Sequence, residues 1–224
     1  WPEDTPSAVC ETVRCFIDAG VEADALSLVF GRPPEISSHL IPSPVIRKVS
    51  FTGSVPVGKH LAMLAAEYMK PCTMELGGHG PAVVFDDVDP ASAASAFAGF
   101  KFRNAGQVCI SPTRFFVQDA VYDAFLETFV SIAKALKVGS GQDETSQMGP
   151  LANKRRIDAL EELVGDAVAS GASLHCGGER IGNQGNFFAP TVLSDIPDNA
   201  RIMQEEPFGP VALINRFTDE DEAW

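Results

Sequence analysis

Basic residues are scarce. The 224 residues include 17 Lys plus Arg against 30 Asp plus Glu, a net charge of −13 at pH 7, with an isoelectric point of about 4.6. A surface this acidic repels phosphate backbones, and no basic stripe interleaved with aromatics offsets it, so nucleic acid is not expected as a partner. Long hydrophobic runs are missing as well. The longest are a few residues, such as Pro81-Ala82-Val83-Val84-Phe85, against the roughly 20 needed to cross a bilayer, so no membrane association is expected. Cysteine is sparse and unpatterned: Cys10, Cys15, Cys72, Cys109 and Cys176 are odd in number and contain no C-x-x-C pair. That argues against a disulfide framework and against a zinc site; His175-Cys176 is adjacent but lacks a second ligand pair. No signal-peptide pattern opens the chain, and a reducing, cytoplasmic setting is expected. Trp1, and Trp224 after the acidic run Asp219-Glu220-Asp221-Glu222, read as cut ends rather than natural termini.

What is present is core material. Hydrophobic residues make up 45% of the chain and its mean hydropathy is +0.05, enough for one large domain or two modest ones. Short apolar runs alternate with helical periodicity, the pattern of an α/β protein with a doubly wound sheet. Thr5 and Pro6 suit a helix start, with Val9, Val13, Phe16 and Ile17 on one face up to Gly20. Ala25 to Phe30 reads as a buried strand, followed by a turn at Gly31-Arg32-Pro33-Pro34. A strand from about Arg47 to Phe51 breaks at Gly53 into a helix that stops at Pro71. Strands follow at Thr73 to Leu76, Pro81 to Phe85 and Arg114 to Gln118, with helices from Asp89-Pro90 to about Arg103, from Val121 to Leu136, and through Ile157 to Gly171. Gly-rich Ala172 to Asn186 suits a hairpin, and strands are expected near Thr191 to Leu193 and Val211 to Phe217. A boundary is placed at Gly77-Gly78, dividing 1–77 from 78–224.

Four segments have the residue types for chemistry. Gly53-Ser54-Val55-Pro56-Val57-Gly58-Lys59, between a strand and a helix, has the character of a phosphate cradle. Its spacing approaches a P-loop, but His60 stands where the Mg²⁺-binding hydroxyl belongs, which favours a dinucleotide phosphate over an NTPase site. A plain glycine-bounded turn is the alternative, and no G-x-G-x-x-G fingerprint occurs. Cys109 follows Asn104-Ala105-Gly106-Gln107, whose donors and flexible backbone could favour a thiolate; at an ordinary pKa near 8.5 only about 3% of a thiol is ionised at pH 7. Taken alone, a buried, inert cysteine is the commoner reading. Glu75 lies in an apolar, strand-like context before Gly77-Gly78, where burial would raise its pKa toward that of a general base, unless it faces solvent on an edge strand. Glu205-Glu206-Pro207-Phe208-Gly209-Pro210 combines carboxylates, an aromatic ring and turn-formers.

Together, Phe51-Thr52-Gly53-Ser54, Glu75-Leu76-Gly77-Gly78, Gly106-Gln107-Val108-Cys109 and Glu206-Pro207-Phe208-Gly209-Pro210 resemble, in order and approximate spacing, the NAD(P)-dependent aldehyde dehydrogenases. Glu75-Leu76-Gly77-Gly78-His79 and Lys101-Phe102-Arg103-Asn104-Ala105-Gly106-Gln107 are most similar to the succinate-semialdehyde dehydrogenase branch. The resemblance implies part of a Rossmann-like cofactor domain over 1–77, then most of an α/β catalytic thiol domain over 78–224. It implies oxidation of an aldehyde, such as a short semialdehyde, to its acid through a thiohemiacetal and a thioester. In those terms Cys109 is the nucleophile, its backbone N–H an oxyanion donor, and Glu75 the base for deacylation. Gly53, Ser54 and Leu76 lie by the cofactor, Glu206 holds the nicotinamide-side ribose, and Phe208 packs near the ring. Glu3 matches an acid near the adenosine ribose, which favours NAD, with NADP as the alternative. Arg103 matches a residue that grips the substrate carboxylate, unless it is an ordinary solvated charge.

Ser111 stands where some members of that branch have a second, redox-active cysteine, so no disulfide switch is expected. Family chains are about twice as long and supply an oxyanion Asn, a Lys and a subunit-knitting arm outside this segment. The full-length parent is therefore expected to be a homo-oligomer acting on a small aldehyde, and these 224 residues alone to be inactive. The alternative is a non-catalytic relic that serves as a binding module.

Overall fold

The computed structural model describes residues 5–223 and divides into two compact units, Trp1–Leu76 and Gly77–Trp224.

The smaller unit contains α1 (Pro6–Asp18), a short 3₁₀ turn, α2 (Pro33–Leu40), β1 (Val49–Gly53), α3 (Val55–Glu67) and β2 (Cys72–Leu76). β1 and β2 pair in parallel, with Thr52 opposite Glu75 and Gly53 opposite Leu76. Parallel partners need a crossover, and α3 supplies it, giving one βαβ turn. Leu61 and Ala65 of α3 meet Ile41, Val49, Phe51 and Met74 in a small core. Gly58 lets the helix come close: a Cβ there would lie 2.4 Å from Leu76 Cδ2.

Two local expectations change here. Ala25 to Phe30 is not a strand. Leu26 is extended (φ −131°, ψ 114°), but 26–30 pairs with no strand among the described residues, and Val29 and Phe30 are exposed. An extended run without a ladder partner leaves its backbone to water. The turn at Pro33-Pro34 is instead the start of α2. Proline lacks only an N–H that a first turn does not use, so the pair opens a helix rather than closing a strand. Thr5 does precede α1, but its side chain makes no capping bond.

The larger unit contains β3 (Gly80–Val84), α4 (Pro90–Phe102), a 3₁₀ segment (Arg103–Gly106), β4 (Pro112–Gln118), α5 (Asp119–Ala135), α6 (Lys154–Ala169), β5 (Ser173–Cys176), β6 (Thr191–Ser194), α7 (Arg201–Gln204), β7 (Val211–Phe217) and α8 (Glu220–Ala223). Its five-stranded sheet has the order β3-β4-β7-β6-β5. The first four are parallel, and β5 pairs antiparallel with β6, so the expected hairpin extends to Ser194. All four residues of β6 and the first four of β7 are buried, as expected for parallel strands covered on both faces.

Phenylalanine fills the core beside β4. Phe115 packs edge-on to Phe97 at 5.4 Å between centroids and against Phe129 at 5.3 Å, and Phe102 of α4 meets Phe129 at 5.8 Å. Asp89 caps α4, accepting from the Ser92 N–H at 2.8 Å. Because Ala94, Ala98, Lys101 and Phe102 are buried, the end of α4 is fixed, and so is the loop that leaves it.

Candidate active site

That loop carries Cys109. Directly after α4 the backbone turns left-handed at three successive residues, Asn104 (φ 52°), Ala105 (φ 52°) and Gly106 (φ 71°). Such a run is strained for the two non-glycine residues and persists only where its surroundings enforce it. Here they do. Asn104 Nδ2 donates to the Gln107 carbonyl at 3.0 Å, Gln107 Nε2 donates to the Asn104 carbonyl at 3.2 Å, and Gln107 Oε1 accepts from the Ala152 N–H at 3.0 Å. Cys109 follows on the exposed side, before β4. The amide donors expected beside its sulfur are thus engaged with the loop itself; they hold the thiol's backbone in place rather than binding sulfur.

The segment 205–210 packs on this loop. A Cβ on Gly106 would meet the Gly209 carbonyl oxygen at 2.0 Å, and one on Gly209 would meet Leu160 Cδ1 of α6 at 2.5 Å. Phe208 adopts φ 41° and, with Gln107, Ala152, Asn153, Arg155 and Arg156, lines a cleft of about 380 Å³.

Glu206, one step along, lies against the backbone of Gly77, where a Cβ would be 2.2 Å from Glu206 Oε2. Only glycine leaves this room. Burial pushes the Glu206 carboxyl up, while the Gly78 N–H it accepts from and the Arg156 and Lys101 charges favour its ionised form. Lys101 is 1% exposed; burial lowers its ammonium to about 7, and the Glu206 charge opposes that shift. Burial also lowers Arg156, again opposed by Glu206, and its Nε is buried without a partner. His79 Nε2 lies 2.7 Å from the Ile202 carbonyl, leaving Nδ1 buried and unpartnered. The His79 carbonyl accepts from Arg114 Nε and Nη2 at 3.1 and 2.8 Å. Lys101, Arg156 and His79 were not among the sequence candidates; a lysine in the apolar face of α4 was the available signal.

Arg103 lies at the start of the left-handed loop, exposed, with its guanidinium 5.1 Å from the Phe100 ring centroid. No carboxylate pairs with it among the described residues.

In the smaller unit, Gly53 ends β1 and Ser54 stands at the N-cap of α3. Ser54 is exposed and its hydroxyl caps nothing in its own helix. An open N-terminus of a 13-residue helix, with a free hydroxyl beside it, has the donors and the dipole that a dinucleotide phosphate requires. Glu75 is exposed on β2, so the burial its apolar neighbours suggested is absent. Among the described residues β2 has a single strand partner, β1, and Glu75 alternates along it with the half-buried Met74 and Leu76. Leu76 spends its side chain against Gly58. Glu3 lies outside the described residues.

All five cysteines are unpaired. Among the described residues no cluster of His, Cys, Asp or Glu is arranged to hold a metal ion, and no helix is long and apolar enough to cross a membrane.

Comparison with known proteins gives a consistent result. The chain is 45% identical over 221 residues to the 4-(hydroxymethyl)benzenesulfonate dehydrogenase TsaD1 of Comamonas testosteroni, covering 99% of this chain and 46% of that protein. It is 40% identical over 216 residues to the succinate-semialdehyde dehydrogenase [NADP(+)] GabD of Escherichia coli K12, covering 96% of this chain and 45% of that one. The crystal structure of succinate-semialdehyde dehydrogenase from Burkholderia pseudomallei superposes with a TM-score of 0.94 at 40% identity, over 98% of this chain and 46% of the other. The chain thus spans about half the length of the relatives it matches. The profile described as "Aldehyde dehydrogenase family" matches residues 2–224, and the chain belongs to the aldehyde dehydrogenase family.

Proposed function

We propose that these residues belong to an NAD(P)-dependent enzyme that oxidises an aldehyde bearing a remote acidic group, such as a short semialdehyde, to its carboxylic acid. The observation that supports this best is the exposed thiol of Cys109 on a loop held by Asn104, Gln107 and the Gly106–Gly209 contact. A nucleophile needs access, and it needs a backbone that does not wander during attack. In this reading Cys109 adds to the aldehyde carbon to give a thiohemiacetal. Its own N–H donates to the developing oxyanion. NAD(P)⁺ supplies the hydride acceptor when bound. Glu75 then takes a proton from the water that hydrolyses the Cys109 thioester. An exposed carboxylate suits that task, because it can exchange its proton with solvent between turnovers.

The residues fit the cofactor. The open start of α3 with Ser54 would receive phosphate, and Glu206 would accept from ribose hydroxyls, with Phe208 near the nicotinamide. The reading takes 1–77 as part of the cofactor domain and 78–224 as part of the catalytic domain. Glu3 favours NAD, with NADP as the alternative.

The substrate class rests on Arg103, whose exposed guanidinium has no carboxylate partner among the described residues. It also rests on the relatives' names: one protein is named for a benzenesulfonate, the other for succinate semialdehyde, and both molecules carry an acidic group. The full-length enzyme is proposed to be a homo-oligomer. The deciding experiment is NADH or NADPH production from succinate semialdehyde by the full-length gene product and by Cys109→Ala. Turnover that survives Cys109→Ala refutes the assignment. A full-length wild type inert toward all aldehydes returns the chain to a binding role.

A further inference from the structure

Helix α7 ends at Gln204, two residues before Glu206, and the stop comes from outside the helix. Its last ladder bond runs from the Glu205 N–H to the Arg201 carbonyl at 2.8 Å. A continuing helix would next join the Glu206 N–H to the Ile202 carbonyl. That bond is not made. Instead His79 Nε2 lies 2.7 Å from the Ile202 carbonyl, and Glu205 turns extended at φ −108°, ψ 128°. A carbonyl only accepts, so Nε2 carries the ring proton and donates it. The imidazole thus caps a carbonyl that the end of the helix leaves open. Both ends of this bond are anchored: the His79 carbonyl accepts from Arg114 Nε and Nη2 of β4 at 3.1 and 2.8 Å, and Ile202 is fully buried in the core. Two residues before His79, a Cβ on Gly77 would lie 2.2 Å from Glu206 Oε2. The segment 77–79 therefore meets the segment 202–206 twice, once at the Ile202 carbonyl and once at the Glu206 carboxylate.

We propose that His79 is a positioning residue for Glu206. By donating to the Ile202 carbonyl it ends α7 and releases the Glu206 backbone from the helix, so that the carboxylate lies along Gly77-Gly78 and can accept from the hydroxyls of a nicotinamide-side ribose. The proposal rests on the reading of Glu206 as a cofactor ligand. His79 acts through the turn at 203–206 and not on the cofactor. Without its donor the Ile202 carbonyl is open to the Glu206 N–H, and a helix lengthened through 206 would carry this side chain on its own face instead of against Gly77.

The test is calorimetric titration of NAD⁺ and NADP⁺ into the full-length gene product and its variants Glu206→Gln, His79→Leu, His79→Gln and the double variant His79→Leu/Glu206→Gln, with unfolding midpoints measured alongside. Glu206→Gln is expected to weaken cofactor binding at least about tenfold, the cost of losing a charge-assisted hydrogen bond. His79→Leu is expected to weaken it about three- to tenfold, with the double variant no weaker than Glu206→Gln alone, because both act through one carboxylate. His79→Gln, whose amide nitrogen can donate to the same carbonyl, should recover most of the loss. A merely structural histidine would lower the midpoint in the His79 variants and leave affinity alone, and that result overturns the proposal. So do full additivity in the double variant and a loss in His79→Gln as large as in His79→Leu. Should His79→Leu not fold, His79→Asn replaces it: the shorter amide stays polar but falls short of Ile202, and wild-type affinity in that variant likewise overturns the proposal. If Glu206→Gln binds cofactor like the wild type, the reading of Glu206 fails and the proposal falls with it; if only the His79 variants do, the proposal falls and that reading stands.

Discussion

Gly106 and Gly209 meet backbone to backbone: a Cβ on Gly106 would lie 2.0 Å from the Gly209 carbonyl oxygen. This contact joins the loop of Cys109 to the segment carrying Glu206 and Phe208, and Gly106 is also left-handed at φ 71°. Alanine there is opposed twice, by space and by backbone conformation. Gly106→Ala is expected to destabilise the protein by about 2 kcal/mol or more and to remove activity. Denaturant midpoints with parallel assays check it; an unchanged midpoint would mean that the two loops are not in register.

Glu75→Gln separates the two halves of the proposed reaction. Acylation of Cys109 should continue while hydrolysis stalls, giving a burst of reduced cofactor near one per active site, then a steady state slower by about 10²-fold or more. Rapid-mixing absorbance resolves both phases. A wild-type steady state would remove Glu75 from deacylation.

Arg103→Ala should discriminate between substrates. For succinate semialdehyde kcat/KM is expected to fall about 10- to 100-fold, the loss of a charge-assisted pair, and for butanal far less. Equal losses would leave Arg103 as a solvated charge resting on Phe100.

Lys101 also predicts a stability profile. Its folded pKa of about 7 lies below the ordinary 10.5, so in this window the unfolded chain binds more protons than the folded one. Stability should therefore rise as pH increases from about 7 to about 10, with a slope of up to ~1.4 kcal/mol per pH unit. Below about 7 both states hold the proton and the contribution to the slope disappears. Lys101→Met should flatten the rise and be the more stable protein at neutral pH, as seen in urea midpoints across the range. A parallel profile for wild type and variant would contradict a titrating buried lysine.

Periodicity served well where burial was regular. The face Ile157, Leu160, Leu163, Val164 of α6 and the alternation of β4 are both legible in one dimension, since each is a local response to one apolar neighbour. Pro33-Pro34 was not. The same residue that correctly opens α1 at Pro6 was read as a turn in α2, because proline's effect depends on whether a helix follows it. Ala25 to Phe30 failed for the opposite reason: apolar composition favours a strand, but a strand exists only with a partner. At the site, the order of motifs marked Cys109 and Glu206, while Lys101 was invisible as a participant. Its burial is decided by how α4 packs within the larger unit, and nothing local distinguishes a lysine that faces water from one that faces the core. Asn104 and Gln107 mark the loop by composition, but composition cannot say where an amide points, and here both bond to backbone.

The strand order of the larger unit has a consequence for how the protein is made. β7, at its centre between β4 and β6, is the last of the described strands in chain order. β4 is complete at Gln118, but the residues that pair with it begin at Arg114↔Leu213. At a translation rate of about 5–20 residues per second, β4 waits roughly 5–20 s with one edge open and Phe115 and Phe116 nearby. That interval is when a nascent chain is most exposed to wrong pairing, so the same strand that fills the centre of this sheet also leaves β4 dependent on protection until Phe217 has emerged.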